Sequence, residues 1–144
     1  MNPTIREMTA ADHPAAYALW KACEGVGLSE SDERPAIESF LERNPGLSFV
    51  AFHDDELVGT ILGGHDGRRG FIYHLAVRAN YRKQGIGGRL VDLSLAALRS
   101  AGIIKCHLFV FRSNTKAADF WAGSGWMERS DLFLFSRNPP LPDR

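Results

Sequence analysis

The spacing of hydrophobic and polar residues changes period several times along the chain, and each change marks an expected element. Residues 4–8 alternate and predict a strand. Residues 9–12 are typical of a capping box with aspartate in place of glutamate, and apolar residues at helical spacing follow them. Pro14 is expected in the first turn of this helix, since a deeper proline would break it. A second helix is predicted from about Ser31 to the stop at 44–46.

The middle of the chain is rich in predicted strands. Residues 47–52 and 57–62 are apolar runs separated by the polar turn 53–56, which predicts a hairpin. Residues 63–70 are expected to form a second turn region because they are rich in glycine. Residues 71–77 are apolar almost without a break, as is typical of a strand covered on both faces.

The last part of the chain begins with a polar, glycine-bearing loop at 78–88. A long amphipathic helix follows this loop, and Gly102 is expected to end it. Residues 103–111 predict another strand, Asn114 can cap a short helix, and residues 132–135 predict a final strand.

The predicted element order is β-α-α-β-β-β-α-β-α-β. It contains neither an internal repeat nor a linker, so a single domain is expected over residues 1–144, with an irregular tail from about residue 138. The expected class is α+β, or mixed α/β, with one central and mostly antiparallel sheet flanked by helices.

Composition narrows the class of function. The 17 basic and 17 acidic residues cancel, which argues against a nucleic-acid partner, since that would need a basic face. No apolar run approaches the roughly 20 residues of a membrane span, and no signal peptide is recognisable, so a cytoplasmic protein is expected. Cys23 and Cys106 have no metal-type spacing with the histidines, so buried reduced thiols and no metal site are expected.

The loop at 82–88 carries the strongest chemical signal. It follows a predicted buried strand and opens a helix, whose first N–H groups and positive dipole end suit a phosphate. Its glycines allow close approach of the backbone, while Arg82, Lys83 and Arg89 add positive charge. The combination predicts a site that binds pyrophosphate.

Nucleotide-binding folds fit this loop poorly. A Walker loop needs Gly-Lys-Ser/Thr, and the sequence here is Gly87-Gly88-Arg89. A dinucleotide fold needs a third glycine where Leu90 stands, and an acidic residue about 20 residues further on, where Lys105 and His107 lie instead.

The motif Arg82-x-x-Gly85-x-Gly87, preceded by the strand segment His74-Leu75-Ala76-Val77, resembles the GNAT superfamily of acetyltransferases. The later segment Asn114-x-x-Ala117-x-x-x-Trp121-x-x-x-Gly125-Trp126 is similar to a second region of that family, and the predicted element order is also the order of the family. The stretch at 63–70 further resembles a bacterial branch known as YpeA-like acetyltransferases.

The resemblance implies an acetyl-CoA-dependent N-acetyltransferase, in which an amine of a small molecule or of a protein attacks the thioester directly. A monomer or a homodimer is expected. The backbone of Leu75, Ala76 and Val77 would bind the pantetheine arm, and Asn114 would also contact it. The residues that would hold the pyrophosphate are Arg82, Lys83, Gln84, Gly85, Ile86, Gly87 and Gly88.

The catalytic residues are harder to assign. The family commonly has a tyrosine as general acid at the position of Trp121, and an indole cannot donate a proton usefully. Tyr73 is the first candidate, as a base acting through water or as the missing acid. His74 is the second, because imidazoles titrate near neutrality, although strand alternation would place it on the opposite face from Tyr73. Glu24, at the end of the first helix, is a candidate for binding a cationic acceptor.

Two other functions stay open at this point. The Trp121 departure is compatible with a catalytically degenerate module that binds acyl-CoA and transfers nothing. A nucleotide-binding fold is the third hypothesis, and stabilisation by ATP or NAD but not by CoA would favour it.

Overall fold

The computed structural model of the protein describes residues 2–142. The chain forms two compact units, the first ending at Phe109 and the second beginning at Val110. Within the described residues, the first unit contains the whole sheet and three α-helices, and the second contains one α-helix.

The sheet has five strands that lie in chain order. Neighbouring strands are antiparallel except for the last pair, which is parallel, so the predicted class and the mostly antiparallel sheet are confirmed. The strands are β1 (Thr4–Glu7), β2 (Phe49–His53), β3 (Glu56–His65), β4 (Gly70–Val77) and β5 (Cys106–His107).

All four predicted helices form, but the second begins at Arg34 and not at about Ser31, because residues 30–32 form a separate 3-10 turn with its own cap at Ser29. The helices are α1 (His13–Ala22), α2 (Arg34–Arg43), α3 (Ile86–Ser100) and α4 (Thr115–Gly123). Ahead of α1, the backbone N–H of Thr9 donates to Asp12 Oδ2 over 2.8 Å, which confirms the capping box, and Pro14 lies in the first turn.

Helices cover both faces of the sheet. Trp20 of α1 donates its indole N–H to Thr60 of β3, so the Thr60 side faces α1. The neighbouring Gly59 faces the other way, where Leu90 and Ile86 of α3 lie close to its Cα. The sheet is therefore sandwiched, and α3 is placed so that its first turn follows the end of β4.

Strand β3 continues through the glycines that were expected to form a turn. A methyl group on Gly63 would lie 2.4 Å from Ser94 Oγ and 2.5 Å from the carbonyl oxygen of Leu47, so only glycine fits there. The prediction of a turn at 63–70 is therefore wrong in its first half, because the lack of a side chain serves the close approach of α3 rather than a change of chain direction.

Two strand predictions near the C-terminus differ from the structure. The predicted strand at 103–111 is reduced to β5, because its ladder with β4 ends at Phe71 opposite His107. The predicted last strand at 132–135 does not form within residues 2–142, and Phe133 and Phe135 are about nine-tenths exposed. The alternating apolar pattern has no neighbouring strand in its own unit to pair with.

Three further findings concern the residues 2–142. None of their helices has the length and apolarity needed to cross a membrane. No group of three His, Cys, Asp or Glu side chains among them could hold a metal ion. Both cysteines are free, Cys23 being buried and Cys106 partly buried, and burial raises the pKa of the Cys106 thiol.

Candidate active site

Strand β4 carries an irregularity next to the residues that the family resemblance implies for binding the pantetheine arm. Thr60 of β3 pairs with Ala76, and Leu62 pairs with Tyr73, so the two residues His74 and Leu75 together lie opposite one residue of β3. His74 has a φ of 47°, in the left-handed region that side chains other than glycine rarely adopt. The backbone is therefore bulged at this point, which redirects the side chains that follow.

The other edge of β4 is open beyond its first residues. Its ladder with β5 covers only Gly70 and Phe71. From Ile72 to Val77, no strand among the described residues pairs with this edge. The backbone groups of β4 that point away from β3 along this stretch therefore have no ladder partner, as a ligand that binds like an additional strand requires.

The loop after β4 ends in a glycine N-cap. Gly85 precedes α3 with a φ of 84°, and Lys83 also has a positive φ, of 63°. The first backbone bond back into the loop runs from the N–H of Arg89 to the carbonyl of Gly85, over 3.1 Å. Among the residues 2–142, no partner accepts a hydrogen bond from the N–H groups of residues 83–88. A row of free donors at the positive end of a helix suits an anion.

Arg82 has a structural part in this loop. Its Nε donates to the carbonyl of Val77 over 2.8 Å, and a terminal nitrogen lies 3.7 Å from the Cys23 sulfur. The side chain therefore ties the loop to the end of β4 and to the end of α1. Lys83 and Gln84 are exposed.

His74 is held by a carboxylate that the sequence did not single out. Its Nε2 lies 2.6 Å from Oδ1 of Asp32, which ends a single 3-10 turn (Glu30–Asp32) between α1 and α2. The second carboxylate oxygen accepts the backbone N–H of Ser29 over 2.9 Å. The imidazole also packs on Trp20, with ring centroids 4.7 Å apart. The two residues are 42 positions apart, so the spacing of hydrophobic and polar residues cannot reveal their contact. The only local signal at Asp32 was the capping pattern Ser29-x-x-Asp32.

A chain of two buried hydrogen bonds stabilises the bulge at His74. The indole N–H of Trp20 donates to Thr60 Oγ1 over 2.9 Å, and this hydroxyl donates to the carbonyl of His74 over 2.8 Å. Both Trp20 and Thr60 are fully buried. The unusual backbone of His74 is therefore stabilised by contacts to its ring, its ring nitrogen and its carbonyl.

The expectation that His74 and Tyr73 lie on opposite faces is wrong. Tyr73 packs edge-on against Phe40 of α2, with centroids 6.1 Å apart, while His74 packs against Trp20 of α1, so both lie on the side of α1 and α2. The bulge adds one residue to the strand and breaks the alternation. Burial raises the pKa of the Tyr73 phenol, which keeps it protonated over the neutral range.

The remaining predicted residues have simpler surroundings. Glu24 is exposed in the turn after α1. In the second unit, Asn114 Oδ1 accepts the N–H of Ala117 over 3.2 Å, which confirms the predicted helix cap. Trp121 of α4 is buried and packs edge-on against Trp126, with centroids 5.2 Å apart.

Comparison with known proteins identifies the family. The model of the acetyltransferase (GNAT) family matches residues 13–126, about four-fifths of the chain. The chain belongs to this GNAT family. An acetyltransferase from Pectobacterium atrosepticum is 34% identical over 110 residues, which span 76% of this chain and 77% of that protein.

Solved structures have the same GNAT fold. Ard1 from Thermoplasma volcanium has a TM-score of 0.79 at 22% identity, over 90% of this chain and 86% of that one. The PaiA N-acetyltransferase from Thermoplasma acidophilum, solved with coenzyme A, has a TM-score of 0.73 at 20% identity, over 86% and 89% of the two chains.

As a member of the GNAT family, the protein is an acyltransferase, and acetyl-CoA is its cosubstrate. The described residues fit such a molecule at two independent places. The free amides at 83–88 suit its pyrophosphate, and the unpaired edge of β4 suits the amides of its pantetheine arm. A methyl group added at Gly88 would meet nothing within 4 Å, so the start of α3 is open.

Proposed function

We propose that this protein transfers the acetyl group of acetyl-CoA to an amine of a small molecule or of a protein, and that residues 1–144 act as one domain in doing so. The observation that carries the proposal is the row of unpaired N–H groups at 83–88, which follows the edge of β4 that no described strand pairs with beyond Phe71. One feature accounts for a pyrophosphate and the other for the arm that leads from it to the thioester.

The binding roles divide between backbone and side chains. The N–H groups of Gln84 to Gly88 hold the pyrophosphate, and exposed Lys83 adds charge beside it. Arg82 acts chiefly by fixing the loop, because its guanidinium is already bonded to Val77. The other assigned contacts with the arm come from Leu75, Ala76, Val77 and Asn114.

The bound cosubstrate supplies its acetyl group as a thioester, so that an N–C bond forms while the C–S bond breaks. A backbone N–H of residues 75–77 polarises the carbonyl. Tyr73 donates a proton to the departing sulfur, since burial raises the pKa of its phenol and keeps the proton in place at neutral pH. The second proton that the acceptor nitrogen loses as the amide forms then restores the phenol through water. This assignment moves the acid from the α4 position, where Trp121 stands, to β4. Glu24 attracts the cationic acceptor from the end of α1.

The proposal is tested by incubating the purified protein with acetyl-CoA and a panel of amines, which includes polyamines, aminoglycosides and peptides with free N-termini or lysines. Released thiol is measured, and the acetylated product is identified by mass spectrometry. Calorimetry with acetyl-CoA alone provides the binding control. We expect turnover with at least one amine; tight binding without turnover across the panel would contradict the proposed transfer.

The role of Tyr73 is tested by Tyr73→Phe, which keeps the ring contact with Phe40 and removes only the hydroxyl. The variant should bind acetyl-CoA normally and release thiol more slowly, by about 10²- to 10⁴-fold. Wild-type turnover by the phenylalanine variant would remove Tyr73 from the chemistry.

A further inference from the structure

We propose that His74 and Asp32 act as a pair that removes the proton from the acceptor's ammonium group. His74 Nδ1 accepts the proton, and Asp32 is a positioning residue that sets the tautomer of the ring. The proposal rests on the proposed acetyl transfer and adds the base that the transfer needs.

The tautomer follows from the hydrogen bonds of Asp32. A carboxylate can only accept, so the 2.6 Å contact with Oδ1 requires that His74 Nε2 carries the hydrogen. Oδ2 is already occupied by the N–H of Ser29. In the neutral ring, Nδ1 then has a free lone pair, and no described residue hydrogen-bonds to it. The His74 side chain keeps 15% of its surface exposed, so its ring is not sealed in the core.

The pair lies between the two expected binding regions. His74 immediately precedes Leu75 at the bulge, next to the open edge of β4 that is assigned to the cosubstrate. Asp32 comes from the segment between α1 and α2, which follows the acceptor candidate Glu24. The backbone N–H of Ser29 and the His13 ring, 2.8 Å from the Asp32 carbonyl, hold that segment in place. The proposed base, His74, therefore belongs to the sheet, and Asp32 orients it from the segment between α1 and α2.

The proton step is balanced within the pair. An N–H bond of the acceptor's ammonium breaks, and an N–H bond forms at His74 Nδ1, so that the amine gains a free lone pair and the ring becomes an imidazolium. The positive charge then faces the Asp32 carboxylate, which stabilises it. The imidazolium later gives its proton to water, and neither an oxidant nor a reductant takes part.

Two substitutions separate this role from a purely structural one. In His74→Gln, the side-chain amide can still donate to Asp32 from the position of Nε2, but no atom replaces the basic Nδ1. In Asp32→Asn, the amide oxygen is needed opposite Ser29, so the NH₂ group faces His74 and forces the proton onto Nδ1. We expect each variant to lower kcat by about 10²- to 10⁴-fold with unchanged acetyl-CoA affinity. His74→Gln also loses the ring packing on Trp20, so its melting temperature should fall, and unchanged acetyl-CoA binding shows that the variant is folded.

Matched controls lie at the last residue of β3 and in the turn that follows it. Half-buried His65 accepts the N–H of Gly67 at Nδ1, and exposed Asp66 accepts the N–H of Arg68. His65→Gln and Asp66→Asn make the same chemical changes outside the site and should keep wild-type turnover. Nitrogen NMR of histidine-labelled protein gives a readout that does not need turnover. His74, identified by the signals lost in His74→Gln, should carry its proton on Nε2 in wild type and on Nδ1 in Asp32→Asn.

Each outcome has a distinct meaning. Wild-type turnover by His74→Gln would refute the role of His74 as a base while leaving the proposed acetyl transfer intact. The contact between His74 and Asp32 would then only hold the 3-10 turn in place. A ring protonated on Nδ1 in the wild type would also refute the role of His74 as a base. A wild-type protein that binds acetyl-CoA but acetylates no amine would overturn the proposed function, and this proposal with it.

Discussion

Gly88 allows the role of a single backbone N–H to be tested. It is the third residue of α3, so its N–H has no partner within the helix, and the same group is assigned to the pyrophosphate. Gly88→Ala keeps this N–H, and its methyl group would meet nothing within 4 Å. Gly88→Pro removes the N–H at a position where helices tolerate proline, and Gly87 before it limits the steric conflict with the ring. Two helices of this chain already have proline in their first turn.

The expected magnitudes differ clearly between the two variants. Alanine should stabilise the free protein by about 0.4–1 kcal/mol and leave acetyl-CoA affinity unchanged. Proline should cost one hydrogen bond to a charged group, about 1.5–3 kcal/mol. Since about 1.4 kcal/mol corresponds to tenfold, Kd should rise by about 10- to 150-fold.

Calorimetry with acetyl-CoA measures the two dissociation constants, and urea unfolding without ligand shows whether both variants are folded. Equal affinity in the alanine and proline variants would refute the assignment of the Gly88 N–H to the pyrophosphate. A weakened alanine variant would instead mean that the ligand occupies the space next to the Gly88 Cα, and that the backbone alone does not explain binding.

Three further predictions concern charge, the buried network and acid stability. Gly87→Glu should abolish acetyl-CoA binding by calorimetry with no loss of melting temperature, because an acidic residue suits a helix start but repels a phosphate; retained binding would count against the loop assignment. Thr60→Val should lower the free energy of unfolding in urea by about 1–3 kcal/mol, because the buried indole N–H of Trp20 loses its acceptor; an unchanged midpoint would contradict this. Burial tends to raise the pKa of Asp12, but its bonds with Arg6 outweigh that effect and the net pKa is lowered. Asp12→Ala should therefore reduce stability above about pH 4, and the difference from wild type should vanish as pH falls further; a constant difference would refute the linkage.

The parts that the sequence predicted are local in the chain. The start of α1 depends on four consecutive residues, 9–12. The expected pyrophosphate site depends on the loop at 82–88 and the first turn of α3, so neighbouring residues contain the whole signal in both cases. The hairpin of β2 and β3 is local in the same sense, since its polar turn lies between two apolar runs.

The parts that were missed depend on distant partners. The bulge at His74 exists only in the register between β3 and β4, and strand alternation cannot reveal it. Gly63 was expected in a turn on propensity alone, while its true constraint is Ser94 on α3. Residues 132–135 have a strand-like pattern without a pairing partner in their own unit, and pattern alone does not form a ladder.

The attachment of Asp32 has a consequence for how the enzyme could diversify. Segments that choose the acceptor generally tolerate change, and new substrates arise through them. Asp32, in the segment between α1 and α2 that we propose to face the acceptor, is bonded to Ser29, His13 and His74 at once. Under the proposed mechanism, insertions and substitutions before Ser29 or after the start of α2 would alter acceptor preference without displacing the His74 imidazole. Substrate range and chemistry would then evolve separately, because the contact between Asp32 and His74 stays fixed while the residues around it change.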